Sequence, residues 1–325
     1  MHDVTYHAPT SLAEALRLLG NDPAHTRPLA GGTDLHLQME RGGNAWRHVV
    51  DLKRIAELAG IARNPDGGYT IGALTLAAEV ESHVDLAADY PALAQGAACI
   101  GGPPIRNRAT LGGNVCNASP AADSSPPLLA LGARAVVAGA EGTRELPLAD
   151  LWRGPRQTTL APGELLTALR LPPPPVRGGS AFTRLTRSAM DIALVNAAAQ
   201  VALDAQGHIA QAALALGAVA PVVLLVPQAA EAVRGRAWSA ELAAEVARLA
   251  SAAAQPIDDI RASADYRREM AGVLAARAMA QAVERARAAG GVATAGTSGA
   301  AGKSDKAGAT GKATARQRPG RRGAP

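Results

Sequence analysis

The sequence predicts an α+β chain, and three observations carry that prediction. Short strand-like and helix-like segments are punctuated by two glycine-rich loops in the N-terminal half. A four-proline run, Pro172-Pro173-Pro174-Pro175, closes that half as a stiff spacer. Beyond it, strand patterns come first and helix patterns follow, the order of a segregated α+β domain and not of a doubly wound sheet.

The elements are read in order. Ser11 followed by Glu14 forms a capping box. Leu12, Leu16 and Leu19 then share one helical face, and Gly20 is expected to stop that helix. A short strand enters the first glycine loop. Leu35, Leu37 and Met39 continue beyond it as helix or strand, and 48–52 reads as a strand. A first α+β subdomain therefore spans 1–57. In a second, over 58–176, 69–73 is a strand and a helix capped by Thr75 runs through Glu79 and Val80. Further helices are expected at 91–98 and 126–131, a hairpin over 134–146, and a strand at 165–171. In the C-terminal domain, 177–287, strands at 197–203 and 209–216 flank the turn Asp204-Ala205-Gln206-Gly207. Helices follow near 228–235, 239–254 and 263–289. Residues 288–325 read as a disordered basic tail, rich in Gly, Ala, Ser, Thr and Lys without apolar periodicity.

Composition excludes several classes. The chain has 325 residues and 48% apolar content, but only 1 Phe, 3 Trp and 4 Tyr, so aliphatic side chains and alanine must fill the core. The net charge of +5 misleads. Residues 288–325 hold seven basic residues and one acid, so the body without them is near neutral and offers no nucleic-acid groove. No run is long enough for a membrane span, and the first residues do not read as a secretory signal. A cytoplasmic location is the expectation. Cys99 and Cys116, the 2 cysteines, supply neither a disulfide scaffold nor the four thiolates of an iron–sulfur cluster. The 7 histidines show no metal spacing.

The two glycine loops are Pro28-Leu29-Ala30-Gly31-Gly32-Thr33-Asp34-Leu35 and the stretch from Ile100-Gly101-Gly102 to Thr110-Leu111-Gly112-Gly113-Asn114. Successive exposed N–H groups in such loops make anion-binding nests. Two nests with flanking hydroxyl and amide groups suit the diphosphate of a dinucleotide.

These loops resemble the FAD-binding (medium) subunit of the xanthine dehydrogenase family of molybdenum hydroxylases. Three further stretches add to the resemblance: Val115 to Asp123, Phe182-Thr183-Arg184-Leu185-Thr186-Arg187 with Asp191-Ile192-Ala193-Leu194-Val195, and Pro256 to Arg267. It covers 1–287. It implies an FAD-binding fold of the PCMH type, built of two α+β subdomains, followed by a C-terminal α+β domain of antiparallel sheet plus helices. It further implies that Pro28 to Leu35 wraps the FAD diphosphate, with the N–H groups of Gly31, Gly32 and Thr33 donating to phosphate, and that Thr110 to Asn114 is a second clamp. Asp123 would meet a sugar or ribityl hydroxyl; without the resemblance it reads as a helix N-cap. Ile100 stands where some relatives have an aromatic ring. Leu166 matches a contact position and otherwise reads as core.

Thr183 departs from the pattern, since many relatives have lysine directly after the phenylalanine. Arg184 cannot simply replace it, because adjacent strand positions face opposite sides. Covalent attachment in related oxidases uses a histidine in the first loop; Thr33 stands there, so non-covalent FAD is expected. Asp258-Asp259-Ile260-Arg261 and Tyr266-Arg267-Arg268 are expected to form an ion pair or a subunit contact.

The implied function is an electron-transfer flavoprotein subunit. Its partners would be an iron–sulfur small subunit with [2Fe–2S] clusters and a large subunit with the molybdenum cofactor. The acceptor would be NAD+ or another oxidant. No side chain is required as acid, base or nucleophile. One alternative is a stand-alone FAD oxidase of the related vanillyl-alcohol-oxidase-like fold, which the short, aromatic-poor C-terminal domain disfavours. Another is a binding protein that has lost FAD, which the glycines at 31, 32, 112 and 113 disfavour.

Overall fold

The computed structural model describes residues 4–42 and 46–295. The chain opens with β1 (Thr5–His7), α1 (Leu12–Asn21), β2 (Thr26–Leu29), α2 (Leu35–Glu40) and β3 (His48–Asp51). The strands form a parallel three-stranded sheet in the order β1-β3-β2. Ser11 caps α1, accepting from the Glu14 N–H at 3.3 Å, while the Glu14 carboxylate reaches back to the Thr10 N–H. The helix passes through Gly20 and ends one residue later.

A second, antiparallel sheet follows. Its elements are β4 (Ile61–Arg63), β5 (Tyr69–Gly72), α3 (Ala77–Ser82), α4 (Val84–Asp89), α5 (Pro91–Ala98), α6 (Pro103–Arg106), α7 (Leu111–Cys116), α8 (Ser125–Ala130), β6 (Arg134–Gly139), β7 (Gly142–Pro147), the small hairpin β8 (Trp152–Gly154) and β9 (Gln157–Thr158), and β10 (Leu165–Leu171). The sheet order is β4-β5-β10-β6-β7. The expectation that Thr75 caps α3 is corrected. Leu76 is the cap residue and receives the Glu79 carboxylate on its N–H, whereas the buried Thr75 hydroxyl is spent on Gly60.

The C-terminal domain comprises β11 (Gly178–Leu185), β12 (Val195–Leu203), β13 (Ile209–Gly217), β14 (Leu224–Leu225), α9 (Pro227–Val233), α10 (Ala240–Ala253) and α11 (Ala264–Ala295). Its strands pair in sequence order, all antiparallel. The chain is thus α+β, as predicted. α11 continues past residue 287 into the stretch read as tail; the remainder of that stretch lies outside the described residues.

β11 couples the two halves because its faces alternate. Phe182 is buried in the core of the five-stranded sheet, Ser180 accepts the Ala92 N–H at the start of α5, and Gln95 accepts the Phe182 N–H at 3.0 Å. Ala181 and Leu185 pack on the other side against the C-terminal helices.

Candidate functional site: a cleft between the glycine loops

A cleft of about 660 Å3 opens where the first two subdomains meet. That volume lies in the range of ordinary small-molecule sites. Its walls bring together Pro28, Ala30, Gly31, Gly32, Thr33, Asp34 and Leu35 from the first loop, and Ile100, Thr110, Gly112, Gly113, Asn114 and Leu166 from the second subdomain.

The first loop is built as a nest. Gly32 takes φ +80°, which turns successive N–H groups toward one side. The N–H groups of Gly31, Gly32, Thr33 and Asp34 meet no hydrogen-bond acceptor among the described residues. Gly31 serves a second purpose. A Cβ there would stand 1.9 Å from the Arg108 carbonyl oxygen, so only glycine lets the two loops touch.

The second loop is not a nest. Thr110 caps the short helix α7, and its Oγ1 accepts the Gly113 N–H at 3.1 Å. The Leu111 and Gly112 N–H groups go to the Thr75 and Ala73 carbonyls, and that of Asn114 to Thr110. The Leu111 and Gly112 bonds dock α7 beside β5, and those of Gly113 and Asn114 close its own first turn, so the backbone donors from Leu111 to Asn114 do not face a ligand. The free donors of the second segment lie earlier, at Gly101 and Gly102, whose N–H groups make no hydrogen bond among the described residues. Asn114 keeps a ligand-facing role: its Oδ1 accepts from Ser124, and its Nδ2 remains for the cleft.

Four expected residues lie outside the walls. Leu29 belongs to β2, and Leu111 is fully buried in the core. Thr183 is corrected: its hydroxyl donates to the Leu274 carbonyl of α11 at 3.0 Å, on the face of β11 turned away from the cofactor loops. Alternation decides this, since Phe182 and Arg184 hold the other face. Asp123 is not the helix cap, which is Ser124. Its carboxylate is buried, with Oδ1 accepting from Asn196 at 3.0 Å and standing 3.2 Å from Arg184 Nε. That Arg184 contact is an ion pair without hydrogen-bond alignment. Burial pushes the carboxyl up to about 6, against the opposing pull of Arg184 and Asn196. Arg184 also donates to the carbonyls of Cys99, Ala189 and Asp191, tying β11 to the residue before Ile100.

Gly101 and Asn117, quoted in the second segment without a ligand role, and Ile105, Arg156, Leu160 and Met190, to which the sequence assigns none, also line the cleft. Gly101 was visible as half of a glycine pair; the others carry no local signal. Cys116 also lines it, and burial pushes its thiol up to about 12. Arg106 is engaged by Glu81 at 2.6 Å. In the C-terminal domain, Asp259 forms the expected ion pairs, with Arg267 at 2.7 Å and Arg261 at 2.9 Å. Burial raises its carboxyl, but the Arg261 N–H and the two guanidinium groups outweigh this and hold it at about 2. Among the described residues no group of His, Cys, Asp and Glu could hold a metal ion, and no helix is long and apolar enough to cross a membrane.

Two family models cover nearly all of this architecture. Residues 2–174 match the FAD binding domain in molybdopterin dehydrogenase, and residues 180–282 match the CO dehydrogenase flavoprotein C-terminal domain. The chain belongs to the FAD-binding (medium) subunit family of the xanthine and carbon monoxide dehydrogenases. Members of this family are oxidoreductase subunits. The chain is 36% identical over 282 residues to the carbon monoxide dehydrogenase medium chain of Afipia carboxidovorans, covering 87% of this chain and 97% of that one. It is 32% identical over 284 residues to the xanthine dehydrogenase FAD-binding subunit of Escherichia coli O157:H7, with the same coverage. Among solved structures, a carbon monoxide dehydrogenase from Hydrogenophaga pseudoflava that lacks the Mo-pyranopterin moiety superposes with a TM-score of 0.84 at 32% identity, covering 87% of this chain and 98% of that one. Quinoline 2-oxidoreductase from Pseudomonas putida 86 gives 0.82 at 29% identity, with the same coverage. A cleft bearing free backbone donors and apolar walls, Ile100 and Leu166 among them, fits the FAD that defines the family.

Proposed function

We propose that this medium subunit holds FAD non-covalently and serves as the electron exit of a molybdenum hydroxylase. Its partners in this reading are a large subunit with the molybdenum cofactor and a small subunit with [2Fe–2S] clusters. The observation that carries the reading is the nest at Gly31, Gly32 and Thr33, which opens into a cleft large enough for a dinucleotide.

FAD, when bound, supplies the redox chemistry that links one-electron carriers to a two-electron acceptor such as NAD+. The chain supplies binding and position. Gly31 to Thr33 would donate to the diphosphate. Ile100 and Leu166 would hold the ring between aliphatic surfaces, without the stacking an aromatic provides. Thr33 offers no histidine-like nitrogen for covalent attachment.

Purification of the full chain from its native cells tests the assembly. Two co-purifying chains carrying molybdenum and iron are expected, with substrate bleaching the flavin band only in that complex. Oxidation of an alcohol or aldehyde by the isolated chain would contradict the reading and favour the stand-alone oxidase.

A further inference from the structure

The rim of the cleft carries a guanidinium with no partner. Arg156 and Pro155 form the tip of the two-residue turn between β8 and β9, where Gly154 pairs with Gln157. Arg156 takes φ +60°. Glycine or asparagine is the ordinary occupant of such a position after proline. The Arg156 N–H donates to the Ala118 carbonyl at 3.0 Å, and Ala118 is itself left-handed, at φ +48°. Four non-glycine residues have positive φ among the described residues, and two of them are thus joined at this rim. Backbone conformations of this kind gather at ligand clamps. Turn chemistry does not call for either side chain.

The guanidinium is uncommitted. Arg156 lines the cleft, yet its side chain makes no hydrogen bond or ion pair among the described residues. The other arginine of the lining, Arg27, is engaged: it donates to the Pro23 and Thr26 carbonyls and lies over the Trp46 ring at 5.0 Å. Glu164, an acid of the same lining, is held by Arg144 at 2.8 Å. An unpaired planar guanidinium suits a phosphate.

Its place along the cleft follows from α7. Ile100 packs with Ala77 and Ala109 just before that helix, making one end apolar. Asn117 follows the helix and accepts from Gln38 at 3.4 Å; beside it, Ala118 binds the Arg156 turn, making the other end polar. A flavin ring suits the first end and an AMP group the second. We infer that Arg156 is a specificity residue whose guanidinium pairs with the AMP-side phosphate and makes the cleft take FAD in preference to FMN. This rests on the FAD reading above.

Titration of the full chain with FAD and with FMN, before and after Arg156→Gly, tests it. Glycine relieves the backbone, so the variant is expected to melt no lower than the wild-type chain. Its FAD affinity should fall about 10–100-fold, the worth of a charge-assisted hydrogen bond, while FMN affinity stays unchanged. Arg156→Lys should lie between. Unchanged FAD affinity in Arg156→Gly, or an equal loss for FAD and FMN, overturns the assignment. A wild-type chain that takes up no FAD overturns the FAD reading itself, and this inference with it.

Discussion

Gly31 and the Arg108 carbonyl oxygen hold the two halves of the cofactor cleft together: a Cβ at position 31 would lie 1.9 Å from that oxygen. The first glycine loop is therefore shaped by contact with the second segment as much as by its ligand. Gly31→Ala must part the loops. Overpacking of this kind costs about 1–3 kcal/mol, and the displaced nest should lose FAD at least tenfold. Thermal unfolding and FAD titration of the variant check both effects.

Thr183 should be silent toward the cofactor. Its hydroxyl serves the Leu274 carbonyl of α11. Thr183→Val is expected to cost about 1 kcal/mol of stability and to leave the FAD dissociation constant unchanged. Denaturant unfolding and flavin titration separate the two.

Asp123 predicts a pH dependence. Its folded carboxyl sits at about 6, above the ordinary 3.8, because burial penalises the charge more than Arg184 and Asn196 favour it. The folded state therefore holds this proton more tightly than the unfolded chain. The stability it contributes is full below pH 3.8 and is lost as pH rises through 6. Asp123→Asn carries no charge, so its stability relative to the wild-type chain should rise by on the order of 2 kcal/mol between pH 4 and 7. Parallel denaturant curves at several pH values check the sign. A difference that is flat or falls with pH would show that Arg184 outweighs burial.

Cys116 should be inert while folded. Its side chain is part-exposed on the cleft wall, but desolvation there pushes its thiol up to about 12, far from the thiolate that reacts. Alkylation at pH 8 should spare Cys116 in the native chain and reach it in denaturant, as read by mass spectrometry.

Much of this fold was legible because its elements carry local signals. Ser11 with Glu14, the apolar run 165–171 and Pro91 at a helix start each lead to the observed element. The site was legible through its glycines, and the first loop leaves the N–H groups from Gly31 to Asp34 without an internal acceptor. The second clamp differs. Thr110-Leu111-Gly112-Gly113-Asn114 has nest composition, but its donors go to Ala73, Thr75 and Thr110, a tertiary choice that composition does not encode. Thr183 shows the same limit: the phase of β11 is set by Phe182 entering the neighbouring core, which turns the next residue away from the cleft. Arg156 carried no signal at all, because a turn arginine looks like any solvated one until its φ and its neighbours are known.

The central claim is that this chain carries non-covalent FAD. A visible absorption spectrum of the purified full chain, before and after acid precipitation, tests it most directly. The account predicts a flavin band that moves wholly into the supernatant, with AMP released on hydrolysis of the flavin. Colour retained in the pellet, or a chain that stays colourless after incubation with FAD, would contradict it.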